Sequence, residues 1–244
     1  MSALLPIIAS SVLLGLAAQT LSGWERRVSL RKQGLPQDAR GLIRWLDLCI
    51  IAFSAALVQV CLMPAAPGVL FLGGAFGAFL AAAAWADART GWVPDVVIAP
   101  ALILGLLLTW SRHAGAAPDP LTGLLIGLCG VALFGALILM FVMVPGVTTT
   151  PPDAVFALAI IMTPRNVPQM CVILGLIMGS VLLVKLRPGW VRALIPHEER
   201  ARLTDQMDEA LDQAPGHLDQ NGWYPLGPIA LACVLAGFCA NALM

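Results

Sequence analysis

Apolar runs almost free of charge recur from one end of the chain to the other, at roughly 4–21, 44–63, 69–86, 94–111, 121–144, 153–164, 168–186 and 225–243. Such runs suit the hydrocarbon of a bilayer, which takes about 20 residues of helix to cross. Inside it every backbone polar group must be bonded within the protein, which leaves helices and closed barrels. A barrel would alternate apolar and polar residues over segments of about ten, and no such alternation appears. Only 11% of the residues are charged and the mean hydropathy is +0.86, against about 25% charge in a soluble domain. The expectation is all-α: a polytopic membrane helix bundle of about eight transmembrane helices, one integral membrane domain over residues 1–244.

Charge sets the expected topology. If all eight segments cross, one side holds twelve basic residues: Arg26, Arg27, Arg31, Lys32, Arg40, Arg44, Arg89, Lys185, Arg187, Arg192, Arg200 and Arg202. The other side holds two, Arg112 and Arg165. That is a strong positive-inside bias. The sixth segment, 153–164, reaches only about 18 Å as a helix. If it did not cross, the split would be eight against six, so it is expected to cross as a short or tilted span. Both termini then lie outside. The first apolar run has no basic residue ahead of it, and Arg26 and Arg27 follow it, as in an uncleaved first helix. Residues 22–43 are expected as a basic cytoplasmic loop. A second loop, 187–224, carries a short amphipathic helix at 197–213, with Leu203, Met207 and Leu211 on one face.

The net charge is zero, and no nucleic-acid partner is expected. Cys49, Cys61, Cys129, Cys171, Cys233 and Cys239 all fall in apolar runs and none forms a CxxC. They are expected as small packing residues rather than a zinc site or a disulfide framework.

Acids at the ends of spans carry the functional signal, because they are costly there. Asp47 follows Arg44 by three residues, a spacing that suits a local ion pair. Asp95 follows Pro94 and is placed to help satisfy the free N–H groups of the fourth helix. Asp87 ends the third span and Asp153 opens the sixth. In the eight-span topology these two sit at the same cytoplasmic depth. Two carboxylates sharing a low-dielectric site can share one proton, leaving an acid and a base that activate a water between them. That is the chemistry of aspartic peptidases.

The stretch WADARTGWVPD at 85–95 places Asp87 at a span end and Pro94-Asp95 seven residues on. The stretch Thr150-Pro151-Pro152-Asp153 follows, with its aspartate 66 residues after the first. Tyr224-Pro225-Leu226-Gly227-Pro228 opens the last span. These three elements, in this order, resemble the motifs of the type IV prepilin leader peptidases, bacterial intramembrane aspartic peptidases of the GxGD type. The resemblance implies catalytic roles for Asp87 and Asp153. It implies site-shaping roles for Pro94, Asp95, Pro152, Pro225 and Gly227. The implied activity is removal of the leader of a pilin-like or secretion-related precursor, at the cytoplasmic face of the inner membrane, with no metal or cofactor.

The chain departs from the family pattern at the second motif. Thr150 and Pro152 replace both glycines of GxGD, and Val155 stands where the family has a lysine. Residues 22–43 contain no cysteine, so neither a zinc insertion nor methyltransferase activity is expected. The competing expectation is a catalytically inactive relative, a membrane scaffold or assembly factor for a pilus or secretion system.

Overall fold

The computed structural model describes residues 4–32, 45–90, 93–113, 172, 175, 176, 179 and 226–243. Five helices account for nearly all of them: α1 Leu4–Lys32, α2 Trp45–Cys61, α3 Pro67–Thr90, α4 Asp95–His113 and α5 Leu226–Leu243. Two stretches, Leu4–Glu25 in α1 and Pro67–Asp87 in α3, are long and apolar enough to cross a membrane. Of the expected crossings between 121 and 186 only residues 172, 175, 176 and 179 are described, all helical, and the amphipathic helix at 197–213 lies outside the described residues.

Four of the five helices match apolar runs to within a few residues. α1 does not stop where its run ends. Residues 22–32, expected as the start of a loop, continue the helix to Lys32. Hydropathy marks where hydrocarbon ends, not where a helix ends. Glu25, Arg26, Arg27, Leu30, Arg31 and Lys32 are all good helix formers. At 29 residues α1 is about 43 Å long, well beyond the thickness of a bilayer core.

Contacts between named residues fix the directions. Gly15 of α1 lies against Leu48 and Ala52 of α2, and Ser10 reaches Gln59, so α1 and α2 are antiparallel. Gly73 lies against Val58 and Leu62, and Gly77 against Ser54 and Ala55, so α2 and α3 are antiparallel too. Gly227 meets Ala84, while Phe238 meets Phe76 with ring centroids 6.3 Å apart. α5 therefore runs antiparallel to α3.

α3 is the centre of this arrangement, and its composition explains why. Gly73, Gly74, Gly77, Ala78, Ala81 and Ala84 are all buried. Small residues at these spacings let backbones approach closely where lipid gives no hydrophobic drive to pack. Large apolar side chains face outward instead: Leu5, Leu13, Phe53, Phe71 and Ile103 are all exposed. An outer surface this apolar suits lipid.

The backbone-to-backbone approach at Gly77 sets a stability prediction. A Cβ at Gly77 would stand 3.1 Å from the Ser54 carbonyl oxygen and 3.3 Å from the Ala55 Cα. Both are backbone atoms and cannot rotate away. Gly77→Leu should cost about 1–3 kcal/mol by overpacking. Gly68, with nothing within 4 Å of a Cβ, should accept Leu within about 0.5 kcal/mol. Thermal unfolding of the two variants in detergent measures the difference, and equal losses would refute the α2–α3 packing.

The same α2–α3 contact also holds a polar side chain, Gln59. Ser10 Oγ donates to Gln59 Oε1 at 3.1 Å, while Gln59 Nε2 has no hydrogen-bond partner among the described residues. Gln59 fills the space that a side chain at Gly74 would need. The two members of this part-buried pair come from separate apolar runs, so local sequence does not show it.

Candidate functional site

The acidic side chains of the described residues are Glu25, Asp47, Asp87 and Asp95. The helix directions bring all four to one end of the bundle, α1 and α3 ending there and α2, α4 and α5 beginning there. The other end carries Ser10, Gln59 and Cys61.

Asp87 is buried at 7% exposure near the end of α3. Its Oδ2 accepts a hydrogen bond from the Gly227 N–H at 2.7 Å. Gly227 is the second residue of α5, so its N–H belongs to the first turn, which has no partner within the helix. The positive end of a helix favours an anionic acceptor. Gly227 also explains how the two backbones come so close. A Cβ there would stand 2.7 Å from the Ala84 Cα and 2.9 Å from Asp87 Oδ2, so only glycine fits. The first and third sequence elements, 140 residues apart, thus meet at one carboxylate.

Pro94 is buried, and α4 begins at Asp95 as the sequence leads one to expect. The reading of Asp95 changes. Its side chain is exposed, and the start of α4 is held by another helix. Glu25 of α1 accepts from the Asp95 N–H at 3.2 Å and the Val96 N–H at 2.8 Å. The helical extension of α1 carries the carboxylate that caps α4, and it thereby anchors the connection that leads back to Asp87. Glu25 was absent from the sequence-based site. The available signal was a single acid directly before Arg26 and Arg27 in a stretch expected to be loop. Glu25→Ala should cost about 0.5–2 kcal/mol, as for the loss of an N-cap. Glu25→Gln keeps one acceptor oxygen and should cost less. Melting temperatures of the two variants test the order, and an unchanged Glu25→Ala would remove the capping role.

Asp47 is buried at 8% exposure and accepts from the Trp85 indole N–H at 2.9 Å. Arg44, its expected partner, lies outside the described residues. Trp85 stands two residues before Asp87, so this bond ties the end of α3 to the start of α2. Asp87 is held by α5, Trp85 by α2, and the chain beyond by α1. The end of α3 is thus fastened to α5 and to α2, and the start of α4 to α1.

Asp153, Pro152 and Pro225 lie outside the described residues. Among the described residues no three His, Cys, Asp or Glu side chains come together in a group able to hold a metal ion. The arrangement supplies two buried carboxylates, Asp47 bonded to an indole N–H and Asp87 bonded to a backbone N–H. No protein-family model, curated protein or solved structure matches the chain.

Proposed function

We propose that the chain is an intramembrane aspartic endopeptidase that removes the leader of a type IV pilin-like or secretion-related precursor. The observation that carries this reading is the buried Asp87 held by the Gly227 N–H at 2.7 Å. It joins two of the three sequence elements that resemble the prepilin peptidases, at the residue to which the resemblance gives a catalytic role.

In this reading the chain crosses the inner membrane eight times, and the Asp87 end of the bundle faces the cytoplasm. Asp153 is the second carboxylate, brought beside Asp87 by the start of the sixth span. The two share one proton. The ionised carboxylate takes a proton from water, and the hydroxide so formed attacks the scissile carbonyl carbon. The protonated carboxylate gives its proton to the carbonyl oxygen. Collapse of the tetrahedral species breaks the C–N bond, the proton taken from water goes to the leaving amine, and one hydroxyl proton returns to the carboxylate that had protonated the carbonyl. The precursor is held as an apolar helix among the spans, with its basic leader at the cytoplasmic surface. No metal or other cofactor takes part.

Co-expression with a leader-bearing precursor, followed by mass measurement of the membrane fraction, tests the proposal. Loss of the leader mass only in cells carrying the chain is the expected result. The Thr150-Pro151-Pro152-Asp153 sequence, which lacks both family glycines, favours the second reading, an inactive scaffold for pilus or secretion assembly. An intact precursor beside a folded chain would select that reading.

A further inference from the structure

Cys61 Sγ and Cys239 Sγ lie 3.6 Å apart. One ends α2 and the other lies in the last turns of α5, 178 residues later. Sequence reading placed all six cysteines as separate packing residues, since none is near another in a motif. The fold brings these two together because α2 and α5 run in the same direction against α3. Both thiols are free. Cys61 is buried, whereas Cys239 is partly exposed. Beside them Phe238 packs on Phe76 of α3, which fixes the height of α5 and keeps the two sulfurs level.

We propose that Cys61 and Cys239 form an oxidisable pair, a site that takes an intramolecular disulfide from a disulfide-bearing thiol oxidant. The more exposed Cys239 reacts first. Its thiolate attacks one sulfur of the oxidant and expels the other as a thiolate, giving a mixed disulfide. The Cys61 thiolate then attacks Cys239 Sγ, forms the Cys61–Cys239 bond and expels the second thiolate. Two cysteines are oxidised, one disulfide is reduced to two thiols, and the protons of the cysteines pass to those thiols. A disulfide needs the sulfurs at about 2.05 Å, so from 3.6 Å they must close by roughly 1.5 Å. The bond fastens the far end of α5 to α2. Gly227 is twelve residues away on the same helix, about 18 Å along its axis. The link therefore restrains the helix whose first turn holds Asp87.

The test uses the full chain in detergent with 4,4′-dithiodipyridine as oxidant, in a variant carrying Cys49→Ala, Cys129→Ala, Cys171→Ala and Cys233→Ala. One equivalent should release two thiopyridones per chain and remove both alkylatable thiols, with a reductant restoring them. Cys61→Ser and Cys239→Ser in that background should each release one thiopyridone and retain one bound pyridyl group. Mass spectrometry of the oxidised wild-type chain should find a peptide linking Cys61 to Cys239, a measurement that stands even if the multiple variant does not fold. Two pyridyl adducts on one chain, disulfide-linked dimers or no reaction would each overturn the proposal. Because no cleavage is measured, these outcomes are independent of the peptidase reading.

Discussion

Asp87→Asn should lower leader removal by about 10²-fold or more while leaving the helix bundle folded. Loss of a positioned acid–base group costs about 10²–10⁴-fold. Asparagine matches the size of aspartate, and its amide oxygen can still accept the Gly227 N–H that reaches Oδ2 at 2.7 Å in the native chain. It cannot hold or pass the proton that the proposed dyad shares. The substitution therefore separates chemistry from packing. Asp87→Ala would not, since it also strips a buried N–H of its acceptor at about 1–3 kcal/mol. Asp153→Asn should reproduce the loss, because a dyad fails when either half does. Asp47→Asn is the control. Asp47 is as buried as Asp87 and its amide oxygen can still take the Trp85 bond, so cleavage should stay within a few-fold of wild type. Precursor mass in membranes measures all three. Wild-type processing by Asp87→Asn would remove the catalytic assignment and leave the scaffold reading.

How much of this was legible beforehand depends on the distance between partners. Pro94-Asp95 as a helix start needs only local rules, and α4 begins where they place it. Asp87 is marked by its place at a span end and Gly227 only by the resemblance of its motif, although their 2.7 Å contact spans 140 residues. Glu25 carries no such signal in its own stretch of sequence. Its role depends on α1 running on past its apolar run, and apolarity carries no information once the helix leaves hydrocarbon. The Trp85–Asp47 bond was hidden by a nearer candidate, since Arg44 offered a sufficient local partner in the sequence. Cys61 and Cys239 are unremarkable singly, and only the parallel placement of α2 and α5 on α3 brings them level.

Gly227→Ala carries the second large effect, and it arises from backbone rather than side chains. A Cβ at this position would stand 2.7 Å from the Ala84 Cα and 3.1 Å from the Ala84 carbonyl oxygen. Carbon atoms pack at about 3.5–4.0 Å, so the start of α5 must move off α3 by roughly 1 Å. Overpacking of this kind costs about 1–3 kcal/mol, which should appear as a lower melting temperature in detergent. The same movement stretches the Gly227–Asp87 hydrogen bond. A displacement of about 1 Å at a reacting group can cost 10²-fold in rate, so cleavage should fall further than stability alone explains. The contacts also say what cannot rescue the variant. Both Ala84 atoms are backbone and remain when the side chain is trimmed, so Ala84→Gly should leave Gly227→Ala no more stable. Asp87→Asn should not relieve it either, since an amide oxygen occupies the same space. Wild-type melting and cleavage by Gly227→Ala, or recovery on adding Ala84→Gly, would mean that α5 does not dock on α3 through this glycine. The placement of Asp87 at a helix start would then fall with it.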